Sequence, residues 1–160
     1  MPRPVIFALS NPTDHAECTA EEAYQWSDGQ ALYAAGVPFP PVRHGDRTLV
    51  PGQGNNLYVF PAVGLAIVAT KARRVTDEMF VVAARAVAEQ VTQPELDSGS
   101  LYPPQSNILQ TEIAVAVEVT KAIFAQGLAG VEKPADVREF VEAQLYTPEY
   151  VSLRSGDLGR

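Results

Sequence analysis

After Met1-Pro2-Arg3-Pro4 the chain enters Val5-Ile6-Phe7-Ala8-Leu9, five apolar residues without polar alternation. Such a run predicts a strand buried on both faces of a parallel sheet. Gln30 to Ala35 reads as a second strand ending at Gly36, and Arg47 to Val50 as a short third, an arm of a hairpin about His44-Gly45-Asp46. Between the first two strands, Thr19-Ala20-Glu21-Glu22 has the spacing of a capping box, so a helix should run from there to about Trp26. Strand, helix and strand in this order make a βαβ unit and predict a doubly wound α/β architecture.

The later pattern has a helical period. Helices are expected from about Pro61 to Arg73, from Asp77 to Val91, from Asn107 to Gln126 with Gly127 as a left-handed cap, and a shorter one from about Ala135 to Leu145. In the second of these, Phe80, Ala83, Ala84, Val87 and Val91 form the expected core stripe, with Arg85 and Glu89 paired on the other side. Leu101-Tyr102-Pro103-Pro104 reads as a rigid connector. One domain over residues 1–150 and a flexible tail over 151–160 are expected.

Composition narrows the partners. A formal net charge of -7 argues against nucleic acid and anionic membranes, because a phosphate surface meets a repulsive mean field. The single cysteine, Cys18, excludes an internal disulfide framework and fits a reducing compartment, and its surroundings carry no catalytic-cysteine signature. No apolar stretch is long enough to span a bilayer. The resulting expectation is a soluble, cytoplasmic protein.

Candidate chemistry concentrates in two turns. Pro51-Gly52-Gln53-Gly54-Asn55-Asn56 places glycines and side-chain amides just before an apolar helix that begins near Pro61. Glycine lets a backbone approach a ligand closely, amides both donate and accept, and a helix start presents free N–H groups. Ser10-Asn11-Pro12-Thr13 follows the first strand, and open α/β sheets bind ligands beyond the carboxyl ends of their strands. The bland alternatives are an Asx-type turn at Asn11 and a mobile surface loop at Gly52–Asn56. Two such turns converging on one crevice would suit a small dicarboxylate that also carries a hydroxyl.

Other polar groups invite structural readings. His15 and His44 lie in turn-like sequence and are assigned loop roles, and Lys71-Ala72-Arg73-Arg74 sits where cations offset a helix dipole. Val37-Pro38-Phe39-Pro40-Pro41 is either a polyproline-type segment or a loop closing over the site. The sequence contains no Gly-x-Gly-x-x-Gly fingerprint, no Walker loop and no paired-carboxylate metal motif.

The strings Ile6–Thr13, Ala16–Tyr24, Gly36-Val37-Pro38-Phe39, Pro51–Pro61 and Leu101–Pro104 together resemble the C-terminal part of malic enzyme, over about Pro4 to Tyr150. The resemblance implies the later half of a Rossmann-like NAD(P)-binding domain followed by C-terminal helices. It implies oxidation and decarboxylation of L-malate with NAD or NADP, assisted by a divalent metal, Mg or Mn. By resemblance, Asn11 contacts substrate and nicotinamide, Asn55 and Asn56 bind malate, and Gly52 and Gly54 shape the cofactor-side loop. The family's acid, base, metal ligands and glycine-rich loop have no counterpart here, so no catalytic or metal-binding residue is assigned and the isolated chain is expected to be inactive. The expected partners are L-malate, the remaining part of malic enzyme and further copies in a homo-oligomer. A half sheet would leave an unpaired edge and an uncovered apolar face. The rival reading is a non-catalytic module binding a small carboxylate or nucleotide, or a subunit completing a site in trans.

Overall fold

The structure is a computed structural model that describes residues 3–146; the expected tail over 151–160 lies outside them. Its strands are β1 (Val5–Ala8), β2 (Leu32–Ala35), β3 (Val42–His44), β4 (Arg47–Leu49) and β5 (Gly52–Gln53). The parallel sheet has the order β1-β2-β5, with Ile6 opposite Tyr33, Ala8 opposite Ala35 and Ala34 opposite Gly52. The expected third strand, Arg47 to Val50, lies instead in an antiparallel hairpin of β3 and β4 around Gly45-Asp46. The third parallel strand is the glycine-bearing segment itself, so Gly52 is laddered onto β2 and is not part of a mobile loop.

Alternation along the strands sorts the two faces. Ile6, Ala8, Tyr33 and Ala35 point to one side, where α1 (Ala20–Trp26) packs through Ala20, Ala23 and Tyr24. The Thr19 capping box forms as expected: Thr19 Oγ1 accepts from Glu22 N, and Thr19 N donates to the Glu22 carboxylate. Phe39 stacks edge-on against Tyr33 on this same side, with ring centroids 5.9 Å apart. Phe39 thus packs on the α1 side, and with Pro38 it also lines a cleft shared with Gly52 and Gln53 of the amide-bearing segment.

The opposite face departs from expectation. Val5 (57% exposed), Phe7 (50%) and Leu9 (49%) are open to solvent, so β1 is buried on one side only. β1 is also the sheet's outer strand, with β2 as its only partner among the described residues. The unpaired edge and uncovered face that a half sheet implies are both present.

The helical layer packs around α5 (Ile108–Ala125), against α2 (Phe60–Thr70), α3 (Asp77–Ala88) and α6 (Val137–Glu142). Ile113, Val115, Val119 and Ile123 of α5 are buried, each contributing roughly 1.5–3 kcal/mol relative to exposure. Gly127 has φ +64°, the left-handed conformation expected after α5. Helix α4 (Gln93–Asp97) was not anticipated, although Thr92 and Glu95 form a second capping box.

In α3 the buried face is Met79, Ala83, Ala86 and Val87, while Phe80 and Ala84 are exposed. The expected stripe was rotated because α3 meets α5 on its Met79–Ala86 line. Arg85–Glu89 is not among the ion pairs of the described residues, which are Lys121–Glu118, Arg138–Glu142 and His44–Asp28. The Lys71–Arg74 cluster is structural: Lys71 caps α2 at φ +49°, and Arg73 donates from its side chain to Gly127 O and from its backbone to Leu128 O.

Candidate functional site

The carboxyl ends of β1, β2 and β5 meet along one rim. Gly36 N donates to Ala8 O (3.0 Å) and Gly54 N to Ala35 O (2.8 Å), extending the ladders one residue past each strand. A Cβ on Gly36 would lie 2.4 Å from Leu9 O and 3.1 Å from Asn11 Nδ2, so the absent side chain is what lets the loop after β1 press onto the end of β2. A Cβ on Gly54 would meet Leu9 Cδ2 at 3.1 Å and the Tyr102 hydroxyl at 3.4 Å. The loops carrying Asn11 and Asn56 are thus seated on the same edge of the sheet, with Leu9 between them.

Each loop is held from behind. Ser10 donates from Oγ (2.6 Å) and from its backbone (3.3 Å) to the Glu17 carboxylate, fixing the turn that contains Asn11 and its cis peptide bond to Pro12. The Ser10 hydroxyl, followed by backbone donors, holds Glu17 below its ordinary pKa. A carboxyl whose folded pKa is depressed contributes stability above the unfolded value, and the contribution disappears as pH falls through the folded value. Acid titration of Tm from about pH 5 downward should therefore show a steeper fall for wild type than for Glu17→Gln; superimposable titrations would remove the Ser10–Glu17 clamp from the account.

The second loop rests on aromatic rings. Tyr102 packs on Gly52, stacks on Tyr58 at 5.6 Å between centroids and meets Phe7 at 6.5 Å. Tyr58 is buried and donates to Pro103 O at 2.6 Å; burial pushes its hydroxyl pKa up. Asn55 Oδ1 accepts from Leu57 N at 2.9 Å and caps the short 3-10 turn Asn56–Tyr58. Loss of this cap in Asn55→Ala should lower stability by about 1 kcal/mol, whereas Asn56→Ala, at an exposed position, should stay within about 0.5 kcal/mol. Paired urea titrations read both.

The site residues divide as follows. Gly54, Asn55 and Asn56 line one open groove of about 700 Å³ together with Leu9, Val59 and Tyr102. Gly52 lies on the other side of Tyr102, in a separate cleft with Phe39 and Gln53. Asn11 sits on the same rim against Gly36 and does not line the groove. Pro61 is the second residue of α2, and Val59 at its start supplies no side-chain cap, leaving the first N–H groups of the helix without one. Sequence reasoning missed Tyr58 and Tyr102, which carry the loop; the aromatic in Asn-Asn-Leu-Tyr and the one in Leu-Tyr-Pro-Pro were the available signals.

Two other groups stay outside the rim. His44 Nε2 lies 3.4 Å from Asp28 Oδ1, a carboxylate partner not apparent from sequence spacing; His44 ends β3 and Asp28 lies in the turn after α1. Cys18 has its thiol pKa raised, first by burial and then by the Glu22 and Glu17 carboxylates, which disfavours the thiolate. No group of three or more His, Cys, Asp or Glu residues suited to a metal occurs among the described residues. No described helix is long and apolar enough to cross a membrane.

A parallel α/β sheet whose carboxyl rim carries amide-bearing turns defines a segment of a Rossmann-type domain. A family model described as "Malic enzyme, NAD binding domain" matches residues 1–124. The chain is 46% identical over 153 residues to the NADP-dependent malic enzyme, chloroplastic, of Oryza sativa subsp. japonica, covering 95% of this chain and 24% of that relative. It is 46% identical over 152 residues to the NAD-dependent malic enzyme, mitochondrial, of Ascaris suum, covering 94% and 24%. Among solved structures, the malic enzyme of Pyrococcus horikoshii Ot3 superposes with a TM-score of 0.66 at 25% identity, over 90% of this chain and 30% of that one. The chain belongs to the malic enzyme family and spans about a quarter of the length of these curated relatives. The cytoplasmic expectation is corrected by the same findings: relatives named as chloroplastic and as mitochondrial match equally well, so this sequence does not fix a compartment.

Proposed function

We propose that this chain supplies part of the malate and nicotinamide surroundings of a malic enzyme, which oxidises L-malate with NAD or NADP and releases pyruvate and CO2. The observation that carries the reading is the seating of Gly54, Asn55 and Asn56 beside Leu9 at the carboxyl edge of a parallel sheet, in a chain of this family. Asn56 is assigned to a malate carboxylate or hydroxyl through its amide, and Asn55, which lines the same groove, to holding the backbone of that turn in place through its Oδ1. Asn11 is assigned to the substrate and nicotinamide on the neighbouring loop, and Gly52 and Gly54 to shaping the cofactor side. Neutral amides orient a dicarboxylate by directed hydrogen bonds without altering its charge.

The nicotinamide supplies hydride acceptance when bound. The described residues offer no set of metal ligands, so no step is assigned to a metal held by this chain. The acid and base for the proton transfers are assigned to the part of the enzyme that this chain does not represent. Alone, the 160-residue chain is expected to produce no NADH or NADPH from malate. Mixed with a separately produced portion of the rice relative, the portion this chain does not match, it is expected to restore turnover. Absence of turnover from a mixture shown to associate would contradict the reading.

A further inference from the structure

We propose that Gln53 is a positioning residue for Asn11: through the carbonyl of Gly36 it fixes the bend against which the Asn11 side chain rests. The proposal rests on the functional reading above and adds to that same site a residue that acts through others.

At the end of a parallel ladder the last peptide groups have no strand partner, and something else must bond them. Gly36 is in that position, at the bend that follows β2. Its N–H turns to β1 and donates to Ala8 O at 3.0 Å. Its carbonyl is taken from the other side, by Gln53 Nε2 of β5 at 3.4 Å. One residue is thereby tied to both neighbouring strands, by backbone on one side and by a side chain on the other. Gln53 can reach it because its own backbone is registered opposite Ala35, the residue before Gly36.

The Gln53 amide has one orientation that serves its partners. A carbonyl oxygen accepts and cannot donate, so Gly36 O requires the nitrogen end. The oxygen end, Oε1, then accepts from Gln105 Nε2, in the 3-10 turn Gln105–Asn107 that leads into α5. A chain of donors thus runs from Gln105 through Gln53 to Gly36 O, each bond polarising the next.

Gly36 passes the restraint to Asn11. A Cβ on Gly36 would stand 3.1 Å from Asn11 Nδ2, so the bare Cα of the bend lies directly against that amide. If the Gly36 carbonyl is released from Gln53, the bend can shift, and the surface on which the Asn11 amide lies shifts with it. Ser10 and Glu17 hold the same turn by separate bonds, so Asn11 stands between two independent restraints. Asn11 is exposed, and an exposed amide is aimed by what stands behind it. Misplacing a substrate-contacting group by about 1 Å can cost about 100-fold in rate.

Two variants separate the donor from the whole side chain. Gln53→Met keeps the length and loses both bonds, whereas Gln53→Glu keeps the acceptor for Gln105 and sets a carboxylate against Gly36 O. The control is Gln90→Met, which removes a side-chain bond to Ala86 O and lines neither cleft beside Tyr102. In the 160-residue chain, the nuclear Overhauser contact between the Asn11 side-chain amide and Gly36 Hα is expected in wild type and Gln90→Met, and is lost in both Gln53 variants. In the mixture with the unmatched portion of the rice relative, kcat/KM for malate is expected to fall about tenfold for each Gln53 variant and to hold for Gln90→Met. With Asn11 already replaced by alanine, Gln53→Met should add a loss of less than about twofold, because a residue that acts through Asn11 has nothing left to position. Gln53→Glu, which retains the bond to Gln105, supplies the comparison if Gln53→Met melts below the assay temperature. Survival of the Overhauser contact in the Gln53 variants, turnover equal to wild type, or a loss undiminished in the Asn11→Ala background would each overturn the proposal and leave the functional reading standing. A wild-type mixture that associates without turning over would overturn the functional reading, and with it the role of Gln53 in that reaction.

Discussion

Gly36→Ala is expected to lower the unfolding free energy by about 3 kcal/mol, near the upper end of what overpacking costs. The added Cβ would stand 2.4 Å from Leu9 O and 3.0 Å from Leu9 C, both backbone atoms, so no flexible side chain can move aside. Either the Gly36 N to Ala8 O bond lengthens or the end of β1 lifts from β2. The consequence is local as well as global, because the same Cβ would press on Asn11 Nδ2 at 3.1 Å. Urea unfolding gives the stability change. Hydrogen exchange at the amides of Gly36 and Gly54 shows whether the rim is where the strain is released, and a variant as stable as wild type would mean that the rim is not closely packed.

Tyr58→Ala should cost about 4 kcal/mol, within the range for removing a large buried ring. Tyr58 is 2% exposed, stacks on Tyr102 and donates to Pro103 O. Tyr58→Phe keeps the stacking and leaves only the Pro103 carbonyl unsatisfied, a loss of about 1–2 kcal/mol. The gap between the two variants measures the ring against the hydroxyl. Because Tyr58 ends the turn that begins at Asn56, the alanine variant should also loosen the amide loop, read as faster hydrogen exchange at Leu57 and Tyr58's neighbours in thermally matched samples. Equal stabilities for the two variants would show that the stack on Tyr102 contributes nothing.

Much of the architecture could be read from local chemistry. The Val5–Ala8 and Leu32–Ala35 strands, the Thr19 capping box, the Gly45-Asp46 hairpin turn and the Gly127 helix stop each follow from a few adjacent residues. What escaped reading depends on contacts distant in sequence. Nothing in Pro51–Asn56 announces that Gly52-Gln53 will ladder onto β2, because a two-residue strand has no period of its own. Phe80 and Ala84 have the same spacing as the residues that do face α5, and only the position of α5 decides which line of α3 is covered. The continuous run Val5–Leu9 signals burial on both faces, but the described residues cover only one.

The rim itself was partly legible. Asn56 and Gly54 were singled out as candidates from amide and glycine content, and the structure sets them beside Leu9 on one groove. Gly52 faces a different cleft because the Tyr102 ring intervenes, and a residue 50 positions later in the chain cannot be placed by local pattern. Tyr102 also packs beside both glycines of the loop.

The central claim is that the Asn56 amide, held at the carboxyl edge of the sheet, grips malate in a malic enzyme completed by polypeptide beyond this chain. It is tested most directly by NADPH formation from malate in the reconstituted mixture, comparing wild type with Asn56→Ala at matched stability. The account predicts no turnover from the chain alone, turnover from the wild-type mixture, and a fall of about 100-fold in kcat/KM for Asn56→Ala, the scale of about 2.7 kcal/mol for a lost directed hydrogen bond in the transition state. Turnover by the isolated chain, or an Asn56→Ala mixture as active as wild type, would contradict it.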